Sequence, residues 1–247
     1  PQGMEKYLTD NLAIDITFDL VLKEELLRAE LISAPLTILI LLFVFGTVAS
    51  ASLPALSGIY TVIAAVGIIH GLTYVVDDLT VYAVNIVSLL GIGLSVDYSL
   101  FIVNRFREEL GRGHDKRTAI AMTSATAGRA ILFSGLTVIA GLTGMLFFEN
   151  TGLPSLGWGG ICATLVALTS SVILLPSILA ILGDRINSGR VPLGLSTEVA
   201  DDGFWYDLAK RVMSKPLSFL VPSVLILLVA GAPFLQAEWG ITSWKAL

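Results

Sequence analysis

Long runs of apolar residues without charge dominate this chain. A transmembrane helix needs about 20 mainly apolar residues to cross roughly 30 Å of hydrocarbon. Six runs meet that requirement, at residues 34–53, 55–75, 81–103, 129–148, 158–182 and 217–236. The pattern predicts an all-α fold, a polytopic membrane helix bundle with six transmembrane helices.

Prolines and acidic residues predict where these runs begin. Pro35 can open the first span, because a proline in the first turn of a helix loses no hydrogen bond. Pro54 is predicted to separate the first two spans by a minimal cytoplasmic turn. Asp77 and Asp78 precede the third span and suit a helix N-terminus, whose free amides favour negative charge. An outward-facing site for protons or cations is the alternative for these two acids.

Composition agrees with a membrane protein. The 247 residues are 55% hydrophobic and 14% charged, whereas a soluble domain carries about 25% charged residues. The mean hydropathy is +0.83. Cys162 is the only cysteine, which excludes a disulfide within the chain.

The basic residues gather in two connections. Six follow the third span and five follow the fifth, and Arg129 is counted as the last of the first group. Cytoplasmic loops carry the excess of Lys and Arg, so the loops around Arg105 and Lys210 are predicted to be cytoplasmic. The extracytoplasmic segments would then be residues 1–33, 76–80, 149–157 and the tail after 237.

Asp97 lies in a third span that is otherwise uncharged from residue 85 to 101. An ionisable carboxyl in hydrocarbon costs several kcal/mol unless it is paired, hydrated or protonated, so Asp97 is a candidate functional residue. Desolvation disfavours the charged form. Asp97 is therefore predicted to be protonated in a dry site and ionised in a hydrated one. The structural alternative is a permanently protonated Asp97, bonded to Tyr98 or to a backbone carbonyl.

Small and hydroxylated residues surround Asp97 on the predicted helix. Gly93, Asp97 and Phe101 share one stripe, because they are four residues apart. Gly91 and Gly93 would let a neighbouring helix approach closely. Hydroxyls could come from Ser88, Ser95 and Tyr98, and the small residues of the fourth span are Ser134, Gly135, Thr137, Gly141 and Gly144.

Enzymatic motifs are absent from the sequence. An intramembrane aspartyl protease would need two carboxyls that share a proton. The spans hold no Cys/His metal cluster, no phosphate-binding glycine loop and no Ser/His/Asp set. The chain is therefore predicted not to be an enzyme and to need no metal or cofactor. A proton gradient remains as the expected source of energy.

The third span resembles the fourth-helix signature of MMPL transporters, a branch of the RND superfamily. The matching residues are Asn85, Ser88, Gly91, Gly93, Asp97, Tyr98, Phe101, Arg105, Arg107, Glu108 and Glu109. Supporting positions are Ala34-Pro35, Pro54, Arg129, Phe133-Ser134-Gly135, Leu175-Pro176 and Trp205 to Pro216.

The resemblance implies that the chain is half of an RND-type transporter, with helices two to seven of twelve. Residues 1–33 would end the first periplasmic domain and include an amphipathic helix. Residues 34–182 would form a five-helix bundle of the MMPL or sterol-sensing-like kind. Residues 183–216 would be a cytoplasmic linker with an interfacial helix. Residues 217–236 would be a further span, and 237–247 the start of a second periplasmic domain.

The resemblance also implies residue roles. Asp97 and Tyr98 would relay protons together with a matching Asp-Tyr pair in the remaining half of the transporter. Phe101 would line the central channel, and Gly91, Gly93 and Ser134 would line it or pack helices. Half a transporter has no complete site, so the partner half must come from the same polypeptide or from another chain.

The expected function is export of lipids or other hydrophobic molecules across the bacterial inner membrane, driven by the proton motive force. The alternative is a sterol-sensing-like module that binds lipid and regulates a partner without transport. Expected partners are the remaining half, the hydrophobic cargo and membrane lipids. A homo-oligomer stays open, and no nucleic acid is expected.

Overall fold

The computed structural model of the chain describes Arg28 and residues 31–76, 79–148, 152–191 and 204–236. Within these ranges the chain consists of helices joined by short turns and irregular residues, with one isolated bridge between Thr47 and Arg190. The prediction of an all-α fold is confirmed. Asp77, Asp78 and the terminal segments 1–27 and 237–247 lie outside the described residues.

Nine α-helices follow one another in the described part of the chain. They are α1 (Leu31–Phe45), α2 (Val48–Leu72), α3 (Val81–Gly111), α4 (Lys116–Thr123), α5 (Arg129–Thr143), α6 (Leu153–Thr169), α7 (Leu175–Leu182), α8 (Phe204–Ser214) and α9 (Pro216–Gly231). A π-helical turn, Ser124–Gly128, joins α4 to α5, and a second, Ser170–Leu174, joins α6 to α7.

Five continuous helices are long and apolar enough to cross a membrane. They are Val48–Leu72, Val81–Gly111, Lys116–Phe147, Leu153–Asn187 and Pro216–Leu235. The first predicted span corresponds to α1, a shorter apolar helix among the described residues. The chain is therefore a multi-pass membrane protein with a helical bundle.

The predicted break between the first two spans at Pro54 is wrong. The break lies at Gly46, which has a φ of 64°, and at Thr47, which is extended. Glycine adopts a positive φ without steric cost because it has no Cβ. Pro54 is buried inside α2 instead. A proline is tolerated within a membrane helix where neighbouring groups compensate for its missing amide donor.

The helix that contains the fourth predicted span begins earlier than the apolar pattern indicated. It runs continuously from Lys116 to Phe147, so Arg129 is not in the connection before it. At 1.5 Å per residue, Arg129 lies about 20 Å along the helix from Lys116. The prediction that Arg129 lies in the connection before the fourth span is therefore wrong.

α3 is the central helix of the first compact unit, which comprises residues 1–197. It packs along α2 and α6, and α6 also contacts α5. Small residues permit these contacts: a Cβ on Gly159 would overlap the Ala83 backbone, and one on Gly135 would lie 2.5 Å from the Leu168 side chain. Close helix approach at small residues is typical of membrane bundles.

The break between α1 and α2 is tied to the segment after α7. The Val48 amide donates to the Gly189 carbonyl at 3.0 Å, and the Val191 amide donates to the Gly46 carbonyl at 2.9 Å. Arg107 on α3 donates to the Phe45 carbonyl at 2.9 Å. These bonds satisfy backbone groups that the two helix ends leave free.

The second compact unit comprises residues 198–247 and contains α8 and α9. Lys215 separates the two helices, and Pro216 occupies the first turn of α9. That position suits proline, because the amide it lacks would have no partner within the helix.

Candidate functional site

Asp97 lies on the exposed face of α3. Gly93 and Asp97 are both exposed, and the side chains of Leu89 and Phe101 on the same stripe are 76% and 51% exposed. Among the described residues, Asp97 makes no hydrogen bond and no ion pair. The central helix therefore carries an unpaired carboxyl on an open apolar face.

Tyr98 faces the interior of the bundle. Its side chain is 7% exposed, and its hydroxyl is buried without a hydrogen-bond partner among the described residues. Consecutive residues on an α-helix are about 100° apart, which explains why Asp97 and Tyr98 diverge. The hydrogen bond expected between these two side chains is not formed in this structure.

The two glycines near Asp97 face different surroundings. Gly91 is buried, and a Cβ there would lie 3.4 Å from Thr61 on α2 and 3.5 Å from Ala163 on α6. Gly93 is exposed, and a Cβ there would meet nothing within 4 Å. Gly91 therefore serves helix packing, whereas Gly93 leaves room beside Asp97 on the open face.

Ser134 lies on α5, which packs along α6. It is exposed, whereas its neighbour Gly135 is buried against Leu168. The structure places Ser134 on a different helix from Asp97 without a hydrogen bond between them. Its predicted role in the channel stays a prediction.

Arg129 is a second ionisable residue in an apolar helix, and the sequence reading missed its position. It is exposed, and its guanidinium carbon lies 5.7 Å from the centre of the Phe133 ring, within range of a cation–π contact. The residues between Lys116 and Arg129 hold no proline, and that signal could have extended the helix to include Arg129.

A buried carboxylate lies at the far end of α3. The side chain of Glu109 is fully buried. Its carboxylate oxygens lie 2.6 Å from a guanidinium nitrogen of Arg105, 2.9 Å from one of Arg112 and 2.8 Å from the Nδ1 of His114. Arg112 also reaches Glu108 at 2.5 Å. Arg105–Glu109 and Glu108–Arg112 are thus both i,i+4 ion pairs, and the His114 contact adds a link to the turn after α3.

In the described part of the chain, no group of three or more His, Cys, Asp or Glu side chains could hold a metal ion. The apolar faces of α3 and of the helix that contains α5 carry the ionisable Asp97 carboxyl and Arg129 guanidinium, respectively.

A bundle of long apolar helices, with a lone carboxyl on the open face of its central helix, defines a multi-pass helical membrane protein. The model of the MMPL family matches residues 1–219. The chain belongs to the MMPL family, as the Asp97-Tyr98 signature indicated.

Curated relatives agree with this family. The chain is 37% identical over 213 residues to the "Mycolic acid-containing lipids exporter MmpL11" of Mycolicibacterium smegmatis, covering 85% of this chain and 22% of the relative. It is 33% identical over 246 residues to the "Trehalose monomycolate exporter MmpL3" of Mycobacterium tuberculosis, covering 89% of this chain and 26% of the relative. A putative membrane protein of Streptomyces coelicolor is 36% identical over 211 residues, covering 85% and 29%. The chain thus spans about a quarter of the length of these relatives.

Proposed function

We propose that this chain is half of an RND-type transporter that exports lipids or other hydrophobic molecules, driven by the proton motive force. The observation that carries this proposal is the unpaired Asp97 carboxyl on the exposed face of α3. The printed names of two relatives, exporters of mycolic acid-containing lipids and of trehalose monomycolate, support a hydrophobic cargo.

The exposure of Asp97 supports a partner surface. An ionisable side chain that faced the hydrocarbon directly would be costly, so such residues face the interior of a bundle or a hydrated cavity. Transporters built from repeats place their coupling sites where the two halves meet. We place the remaining half of the transporter, with its own Asp-Tyr helix, against the stripe formed by Leu89, Gly93, Asp97 and Phe101.

Proton coupling follows from the two environments that such an interface offers. Asp97 takes up a proton when the interface is dry, because desolvation disfavours the carboxylate. It releases the proton when the interface opens to water. Phe101, one turn away on the same stripe, lines the interface in this proposal. A carrier of this kind needs neither a cofactor nor enzymatic chemistry.

The distribution of basic residues supports an orientation in the bacterial inner membrane. The connections that follow the third and fifth predicted spans, around Arg105 and Lys210, hold most of the Lys and Arg residues, so we place them in the cytoplasm. The lipid cargo would then leave on the opposite side, towards the extracytoplasmic segments.

The test is export by the full transporter in liposomes with an imposed pH gradient, with trehalose monomycolate as the probe. Asp97→Asn should abolish gradient-driven export, because an amide cannot carry the proton, while insertion and folding stay intact. Asp97→Glu should retain part of the export, because it keeps a carboxyl.

Asp184→Asn is the matched control, since Asp184 is an exposed acid at the far end of its helix. Export by Asp97→Asn at the wild-type rate would refute the proposal. Saturable lipid binding by the wild type, with no export under any gradient, would favour the regulatory module instead.

A further inference from the structure

Four buried hydroxyl groups around α3 have no hydrogen-bond partner among the described residues. They are the hydroxyls of Tyr98, Ser99, Thr123 and Ser171. Ser99 and Ser171 are 0% exposed and Thr123 is 2% exposed. Leaving a buried hydroxyl unpaired costs free energy, and native structures contain few such groups. These four hydroxyls therefore need an explanation.

These hydroxyls do not make the local hydrogen bond that commonly satisfies a Ser or Thr side chain in a helix. A Ser or Thr in a helix can donate to the carbonyl four residues earlier. The residues that do so in this chain are Thr126, Thr137, Thr143, Thr164, Thr169, Ser177 and Ser223. Ser99, Thr123 and Ser171 are buried and do not make this bond.

The helix register brings two of these hydroxyls to one level. Two hydroxyl pairs connect the neighbouring helices, Thr61 with Ser95 at 2.8 Å and Ser57 with Ser170 at 3.0 Å. α2 and α3 are antiparallel neighbours, and Ser99 is one turn after Ser95 while Ser57 is one turn before Thr61. Ser99 therefore lies level with the Ser57–Ser170 pair, and Ser171 follows Ser170 directly.

The two π-helical turns lie in the same layer. Ser124–Gly128 and Ser170–Leu174 contact each other, and each contacts α3. Thr123 immediately precedes the first turn, and Ser171 belongs to the second. The i→i+5 pattern of a π turn interrupts the regular i→i+4 ladder, and such turns occur frequently at functional sites. Irregular backbone and unpaired hydroxyls thus occur together.

We propose that this layer is a water-binding site, in which ordered water bridges Ser99 and Ser171. Buried water typically makes about three hydrogen bonds to polar groups that would otherwise be unpaired. Hydroxyls both donate and accept, as a water molecule requires. A lipid chain would leave the hydroxyls unpaired, and a cation would need an acidic ligand.

The proposed site is distinct from the Asp97 face. Ser95 and Ser99 are each two residues from Asp97, about 200° around the helix. The buried Ser95 and Ser99 face the bundle interior, whereas Asp97 is exposed on the other side of α3. The inference therefore stands independently of the proposed proton carrier and of the transported cargo.

The direct test is water-edited solid-state NMR on the full protein reconstituted in lipid bilayers. Magnetisation from water should reach Ser99 and Ser171 at least several-fold faster than it reaches Ala65, which is equally buried but apolar. Transfer to the two serines that is no faster than transfer to Ala65 would overturn the proposal.

A second test is whether removal of these hydroxyls raises or lowers the Tm. In a dry site, Ser99→Ala and Ser171→Ala remove unpaired hydroxyls and should raise the Tm. In the hydrated site each variant deprives bound water of a partner, so we expect the Tm to fall by about 2–4 °C. The control is Ser177→Ala, since this exposed hydroxyl bonds only to the carbonyl of Ile173. A rise in Tm for both buried variants would contradict the proposal.

Discussion

The side chain of Glu109 contacts two arginines and one histidine. It is fully buried, yet Arg105, Arg112 and His114 all reach its two carboxylate oxygens. A buried charge is stable only when its partners replace the water it has lost. The cluster therefore fixes the end of α3 to the turn at Gly113, which has a φ of 87°.

Replacing Glu109 by glutamine should be clearly destabilising. The change leaves the partly buried Arg105 with Glu108 as its remaining anionic partner, and breaking a buried pair costs roughly 3–5 kcal/mol. Arg112 is half exposed and can return to water, so we expect about 2–3 kcal/mol. The measurement is the unfolding free energy in detergent, compared with Glu108→Gln.

Glu108 is the matched control because it is adjacent and binds the same two arginines, but it is 34% exposed. An exposed ion pair contributes about 0–1 kcal/mol. Equal losses of stability in the two variants would contradict the view that burial makes Glu109 different.

At the scale of helices, the packing of α6 on α3 depends on a residue without a side chain. A Cβ on Gly159 would overlap the backbone of Ala83, and backbone cannot rotate away as a side chain can. Gly159→Ala should therefore destabilise the bundle by about 1–3 kcal/mol through overpacking. Thermal unfolding of the purified protein measures this change.

Gly141→Ala provides the comparison, since a Cβ on Gly141 would meet nothing within 4 Å. Alanine favours a helix over glycine by about 1 kcal/mol, so this variant should be neutral or slightly more stable. Loss of stability at Gly141 as large as at Gly159 would mean that close packing is not the cause.

The helices themselves could be predicted from the sequence, because a membrane span needs only a sufficient length of apolar residues. Their ends were harder to place. Gly46 rather than Pro54 ends α1, because a membrane helix tolerates a buried proline while a positive φ requires glycine. The helix that contains Arg129 extends beyond its apolar part, so hydropathy alone ended it too soon.

The site was predictable to the extent that helix periodicity fixes it. The i+4 spacing places Gly93, Asp97 and Phe101 on one stripe, as the structure has them. The unpaired hydroxyls of Thr123 and Ser171 could not be predicted, because they depend on where the π-helical turns fall. Pro176, two residues after the second turn, lacks an amide donor and is a local signal for an irregular helix, but it does not show which hydroxyls lose their partners there.

At the scale of the whole molecule, the open stripe of α3 leads to a prediction about what covers it. Leu89 is 76% exposed and Phe101 is 51% exposed, on either side of Asp97 along that stripe. A bundle that buries a carboxyl between two halves must cover both residues when the second half is present. A nitroxide at Phe101→Cys, in a Cys162→Ala background, reports this by its collisions with oxygen in the bilayer. We expect high oxygen accessibility in the chain by itself and a several-fold decrease in the full transporter, and the same accessibility in both would place the partner half on another face.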